Sequence, residues 1–272
     1  SVKDPKSGKT ILGAEDGVNQ SYCDLLFYVD ATPGSSIDDP ERPSIPDEGD
    51  KEEPKPDEDE NVTGTLAFED IWPSGGDYDM NDVIVEYERK VYFDKKNIVT
   101  KIVDEFTPVH DGATYVNAFA YQIDAAQIGD KITLPEGAIL EKETSSIIVM
   151  SNAKQNIGNK YVVTREFNGS FLKNQLLSYN PYIIVKYSQG KRNRTEVHLP
   201  KHKATAYANQ SLIGSNDDAY YIDRKGAYPF AIDIPMLGFT PVTERNRIDS
   251  QYPGFATWAK SMGNDCKDWY KK

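Results

Sequence analysis

The chain is poor in the residues that usually announce chemistry. Its 272 residues hold two cysteines and three histidines. Cys23 and Cys266 stand near opposite ends and neither belongs to a CxxC pair, which excludes zinc-ribbon and thioredoxin-type sites. Spacing leaves two alternatives for them: one long disulfide in an oxidising compartment, or two free thiols. His198 and His202 are four apart, but Pro200 between them breaks a helix and no Glu follows His198, so they do not form a zincin pair. His110 stands alone before an Asp111-Gly112 turn, and no GxSxG, Walker or GxGxxG motif occurs. No apolar run approaches the roughly 18 residues that a membrane helix requires, so no transmembrane segment is expected. No apolar stretch follows Ser1-Val2-Lys3-Asp4, so no signal peptide is expected within this sequence. Bases are outnumbered, 31 against 43 acids, and the net charge of −12 argues against nucleic acid or an anionic membrane as partner.

What is present fits a folded β protein with one unfoldable stretch. Between Asp38 and Glu60 stand twelve acids, three bases and five prolines, with Ile45 as the only aliphatic residue. Nine of the twelve excess charges sit there. Such a segment cannot bury enough apolar surface to offset its ordering entropy, and proline stiffens it toward extended chain. It reads as an acidic linker over 31–61, between a short N-terminal β segment at 1–30 and a main domain at 62–272.

Elsewhere, runs rich in Val, Ile, Tyr, Phe and Thr recur between turn residues. Leu25–Val29 is fully apolar. Val83–Tyr87 leads into Lys90–Phe93, and Asp94-Lys95-Lys96-Asn97 turns the chain into 98–103, where Ile98, Thr100 and Ile102 alternate with Val99, Lys101 and Val103. Further strands are expected at 114–123, 131–134, 146–150, 160–166, 181–187, 195–199 and 228–234. Short strands with turn punctuation predict a mainly β fold of antiparallel, sandwich-like sheets. One helix is expected, over 252–262, where Tyr252, Phe255, Ala259 and Met262 make an apolar stripe. Asp249 or Ser250 would cap it, and Gly263 would end it.

The densest stretch is Phe68-Glu69-Asp70-Ile71-Trp72-Pro73-Ser74-Gly75-Gly76-Asp77-Tyr78-Asp79-Met80-Asn81-Asp82. Asp77, Asp79 and Asn81 alternate, a spacing that in a tight loop lets side chains converge on one point, as in the first half of an EF-hand loop. Oxygen donors without nearby His or Cys favour calcium over zinc. Asp77, Asp79 and Asn81 are therefore the leading candidate ligands. Glu69 and Asp70 rank second, and Asp82 either joins them or accepts loop N–H bonds to hold the turn. The bland alternative is that all of them merely cap backbone N–H groups. A degenerate copy precedes this stretch: Ala14-Glu15-Asp16 and Ser21-Tyr22-Cys23-Asp24 before Leu25–Phe27 keep the strand and lose the ligands. The echo predicts that Leu25–Val29 is a buried strand of the same β structure as Val83–Val85, packing on the main domain.

Leu66 through Pro73 together with Gly76 through Asp82 resemble the opening signature of the LruC domain. His198-Leu199-Pro200, Pro229 through Pro235, and Ile248-Asp249, Tyr252-Pro253, Phe255, Trp258-Ala259 and Lys267-Asp268-Trp269-Tyr270 resemble later parts of it. The resemblance runs from about 62 to the end; Met80, where an aromatic is usual, and Cys266 depart from it without touching the oxygen ligands. That family has no established enzymatic activity, and the resemblance implies a bacterial protein that is secreted, on the cell surface or lipid-anchored. The residues and the resemblance together lead to a non-enzymatic module on the outer surface of a Gram-negative bacterium. A calcium loop would stabilise it for adhesion or for binding an extracellular protein or glycan, and any lipid anchor would lie outside this sequence. The rival is a glycan-binding accessory or glycan-active enzyme, motivated by the many carboxylates and 17 tyrosines. A cleft with two acids roughly 5–10 Å apart and flanking rings would favour the rival.

Overall fold

A computed structural model of the protein describes residues 2–3, 10–14, 25–29, 57–169 and 171–271, with side chains from 61 onward. The chain divides into two compact units, Ser1–Lys55 and Pro56–Lys272. In the first, β1 (Val2–Lys3), β2 (Thr10–Ala14) and β3 (Leu25–Val29) form an antiparallel sheet in the order β1-β2-β3. The apolar run at 25–29 is thus a strand, but its hydrogen bonds go to Thr10–Ala14. The echo and the strand it copies lie in different sheets, since β3 pairs with β2 and Val83–Val85 with the strand ending at Phe68. Cys23, the acidic run up to 56 and the side chains that would pack 1–30 on the main domain lie outside the described residues.

The second unit holds two antiparallel sheets. One has the order β14-β4-β5-β6-β11-β8, from Ala231–Ile234, Asp57–Phe68, Val83–Phe93, Val99–His110, Tyr161–Glu166 and Lys131–Thr133. The other has the order β13-β12-β7-β10-β9, from Thr195–His198, Asn180–Val185, Ala118–Gln122, Ser146–Met150 and Ile139–Glu141. The expected mainly β, sandwich-like architecture is what forms. Phe68 and Phe106 of the six-stranded sheet meet Phe119 of the five-stranded one, with ring centroids 6.3 and 5.1 Å apart. The core is continuous from there to the C-terminal aromatics.

Several boundaries differ from expectation. β4 starts at Asp57, inside the expected linker, because the far end of β5 offers it a ladder from Asp57↔Phe93 onward. The strands expected at 83–87 and 90–93 are one continuous β5, and β6 runs on to His110. The expected single helix over 252–262 is two short ones, α1 (Ile248–Gln251) and α2 (Phe255–Lys260). Tyr252 at φ −122° separates them, and it immediately precedes Pro253, which disfavours helical backbone there. Neither Asp249 nor Ser250 is the cap: Arg247 precedes α1 and Gly254 precedes α2. The buried face is Ile248, Tyr252, Phe255 and Ala259, whereas Met262 is 65% exposed. Met262 instead takes the left-handed position that ends α2, with its N–H on Ala259 O and that of Gly263 on Trp258 O. Cys266 is exposed and its thiol is free.

Candidate metal centre

A hairpin builds the site. β4 and β5 pair up to Phe68↔Val83, so the loop 69–82 leaves and re-enters the sheet at one point. That register sets the start of the loop beside its end, and Asp70 N–H donates to Asp82 Oδ2 at 2.7 Å. Within the loop Tyr78 and Met80 hold φ of 54° and 53°. Left-handed backbone at a non-glycine residue costs about 1–2 kcal/mol. Burial offsets it, since both side chains are in the core, Tyr78 against Tyr228 and Phe230. The alternation leaves Asp77 and Asp79 pointing back at Glu69. One carboxylate oxygen from each of Glu69, Asp77 and Asp79 lies within 4.8 Å of the others.

The six candidates separate by partner. Glu69 is fully buried; its Oε1 accepts Met80 N–H at 2.7 Å, and its Oε2 is buried with no hydrogen-bond partner. Asp79 accepts Arg245 N–H at 3.0 Å and Asn81 N–H at 3.3 Å. Asn81 donates through Nδ2 to Val242 O at 3.1 Å, leaving Oδ1 buried and unpartnered. Asp70 accepts Asn117 Nδ2–H at 2.7 Å, outside the cluster, and Asp82 serves the loop backbone. Glu69, Asp77 and Asp79 are therefore the residues brought together, while Asn81, Asp82 and Asp70 brace them.

Burial and mutual repulsion work against the charged forms of the loop's carboxylates. Burial, then Asp82, Asp79 and Asp77, push Glu69 well above the usual carboxylate range, against the pull of Met80 N–H. Burial lifts Asp79 to about 6, with Asp77 and Glu244 adding to it and Arg245 N–H opposing. Burial and Asp70 lift Asp82 to about 7. Crowded, desolvated carboxylates favour their neutral forms unless a cation joins them. Gly76 is what allows the crowding: a Cβ there would stand 2.5 Å from Glu69 Oε2.

The residues fit a hard cation. Oxygens around calcium at about 2.3–2.6 Å are at most roughly 5 Å apart, which accommodates the observed spread. All three donors are carboxylate oxygens, a set that suits hard cations such as calcium, magnesium or manganese better than zinc. The loop is held from outside by a segment that sequence reasoning missed: Val242, Arg245 and Ile248 bind Asn81, Asp79 and the Tyr78 carbonyl. Those contacts use backbone groups of 242–248, which carry no residue-type signal.

Fold and loop together define an antiparallel β-sandwich domain with a carboxylate-lined hairpin loop. The chain belongs to the family described as "Domain of unknown function (DUF4842)", whose model matches residues 97–270. The candidate loop precedes the matched stretch. No curated protein matches the chain. Among solved structures it is similar to the crystal structure of a candidate lipoprotein from Bacteroides ovatus, at 19% identity and a TM-score of 0.59, over 78% of this chain and 74% of that one. At that identity the likeness concerns the fold.

Proposed function

We propose that this chain is a non-enzymatic β-sandwich module of the LruC type, working on the outer surface of a Gram-negative bacterium, with calcium closing the loop 69–82. Its role in this reading is adhesion, or the binding of an extracellular protein or glycan. The observation that carries the calcium assignment is the buried, unpartnered Glu69 Oε2 facing Asp77 and Asp79. A buried carboxylate oxygen without a donor is costly, and a shared cation removes that cost together with the mutual repulsion. The surface assignment rests on the description of the Bacteroides ovatus relative, which fits a lipid anchor preceding the domain. No helix among the described residues is long and apolar enough to cross a membrane.

Thermal melting tests the reading. Calcium at about a hundred times its Kd should raise Tm by roughly 5–10 °C in a domain of this size, and EDTA should remove the gain. Asp79→Ala should abolish the response while the far-UV spectrum stays that of a β protein. A melting curve indifferent to millimolar calcium would leave the carboxylates as turn caps only.

The glycan-active alternative finds less support in the cleft between the sheets. The three carboxylates that line it are engaged, Asp104 by Arg165 and Tyr179, Asp233 by Tyr87 and Glu88 by Asn61 and Lys90. That leaves the binding of sugars, without hydrolysis, as the part of the alternative with a site.

A further inference from the structure

Between the two sheets, with no residue of the 69–82 loop in its lining, lies a cavity of about 370 Å³. Small-molecule sites begin at roughly this size. Its walls come from both sheets: Tyr87, Arg89 and Asp104 on β5 and β6, with Tyr179 and Leu199 opposite. The strand register explains why polar groups face inward here. Val85, Tyr87, Arg89 and Val91 share one face of β5, and Tyr87 pairs with Gly64 and Arg89 with Asp104 across the ladders.

The hydrogen-bond donors in this corner are not all satisfied. Asp104 is buried and stands between two guanidinium groups. Arg165, fully buried, donates from Nη2 to Asp104 Oδ2 at 3.3 Å, and Arg89 approaches Oδ1 only to 4.0 Å. Tyr179 O–H also donates to Asp104, at 2.6 Å. The carboxylate is thus claimed by Arg165 and Tyr179. Arg89, 15% exposed, lies over the Tyr179 ring at 3.8 Å, with Nε and Nη2 lacking any hydrogen-bond partner. The other carboxylates that line the cavity are engaged as well, Asp233 by the Tyr87 hydroxyl and Glu88 by Asn61 and Lys90, so Arg89 is the charged group there whose N–H donors remain unsatisfied. A guanidinium fork is matched best by a planar carboxylate.

A flat aromatic surface adjoins it. The Tyr87 ring lies on the backbone of Gly64, so close that a Cβ at 64 would stand 2.6 Å from its hydroxyl and 2.7 Å from ring carbons. Its hydroxyl is tied to Asp233 Oδ1 at 3.0 Å, which fixes the ring's orientation. A glycine under an anchored ring makes a platform, and the negative π face of such a ring attracts the C–H-rich face of a sugar. The Asp233 carboxylate and His202 at the rim supply groups for sugar hydroxyls.

We propose that this cavity binds an acidic saccharide, its carboxylate on Arg89 and its ring against Tyr87. The site gives a ligand class to the glycan binding proposed above and rests on that part of the reading, but its residues are not those of the calcium loop, so either can fail without the other. The probes are glucuronate, galacturonate and N-acetylneuraminate, with glucose and galactose as neutral controls and acetate as a carboxylate without a ring. Saturation-transfer NMR and calorimetry are run on the full chain, in calcium and in EDTA.

At least one acidic sugar should bind saturably, about tenfold or more tighter than its neutral counterpart and than acetate, the scale of one charge-assisted hydrogen bond. Arg89→Gln should remove that preference with Tm and the far-UV spectrum retained, since Asp104 keeps Arg165. Gly64→Ala, which forces the Tyr87 ring off its bed, should weaken the sugar and leave acetate unchanged. Absence of saturable binding by all three acidic sugars, equal affinity in Arg89→Gln, or acetate binding as tightly as the sugars would each overturn the proposal. Loss of the calcium response alone, with sugar binding intact, would count against the metal loop and not against this site.

Discussion

Glu69, Asp79 and Asp82 are acids placed where acids are least comfortable, and their titration provides a test independent of any partner. Burial is the leading cause of the rise at each, with neighbouring carboxylates adding to it. A carboxylate whose folded pKa is raised binds more protons folded than unfolded, so stability falls as pH rises from the unfolded value through the folded one. For Asp79 and Asp82 that window runs from the usual carboxylate value of 3.8 to about 6 and about 7. In EDTA, Tm should therefore climb as pH is lowered from 7.5 to 5.5. Calcium competes with those protons, so its stabilising increment should shrink over the same range. Paired melts with and without calcium across this pH series check both signs. An increment independent of pH would mean that the ion does not touch these carboxylates.

At the scale of the element, the hairpin of β4 and β5 is the device that makes a site from a motif. Gly76→Ala places a methyl group against the Glu69 carboxylate, which Met80 N–H already holds from the other side. Overpacking of this kind costs typically about 1–3 kcal/mol. The calcium increment should be lost along with it, because the displaced oxygen is the unpartnered one. Chemical denaturation with and without calcium separates the two effects. Much of this element was legible from residue order alone: the alternating Asp77, Asp79 and Asn81, the glycines, and Val83 onward as a strand. The convergence of Glu69 was not, since it follows from the register Phe68↔Val83, and register is a property of two strands together. The left-handed backbone at Tyr78 and Met80 was equally hidden, as neither residue type favours it. The helix failed for a related reason. An apolar stripe from Tyr252 to Met262 satisfies helical spacing, yet aromatic burial against Phe239 and Trp269 is met by two short turns as well as by one rod. The cleft residues Tyr87 and Arg89 left only a faint trace, two polar side chains in the phase of the strand that otherwise holds Val83, Val85, Val91 and Phe93.

Across the main domain, the two sheets are joined by a row of rings and, directly beside it, by a polar lock. Arg165 on β11 donates from Nη1 to Gln127 O at 2.6 Å, and its Nη2 reaches both Asp104 and the Tyr179 hydroxyl. Tyr121, on the opposing sheet, donates to the same Asp104 at 3.3 Å. Burial alone would lower the Arg165 pKa, but Tyr179 and Asp104 hold the guanidinium charged. Such a lock fixes how the sheets align more than it adds net stability, because both charges lose their hydration. The two contributions come apart in a double-mutant cycle. Arg165→Ala leaves the buried Asp104 with the Tyr179 and Tyr121 hydroxyls but with only the distant Arg89 to balance its charge, and should cost about 3–5 kcal/mol in urea unfolding. Replacing both partners by apolar side chains, Arg165→Met with Asp104→Leu, should cost clearly less than the sum of the single changes, since no orphaned charge remains. The doubly substituted protein should stay folded but bind differently in the adjoining cleft, where Arg89 no longer has a carboxylate to share. Additive costs in the cycle would mean that Arg165 and Asp104 act separately, and that the sheets are aligned by the Phe68, Phe106 and Phe119 contacts alone.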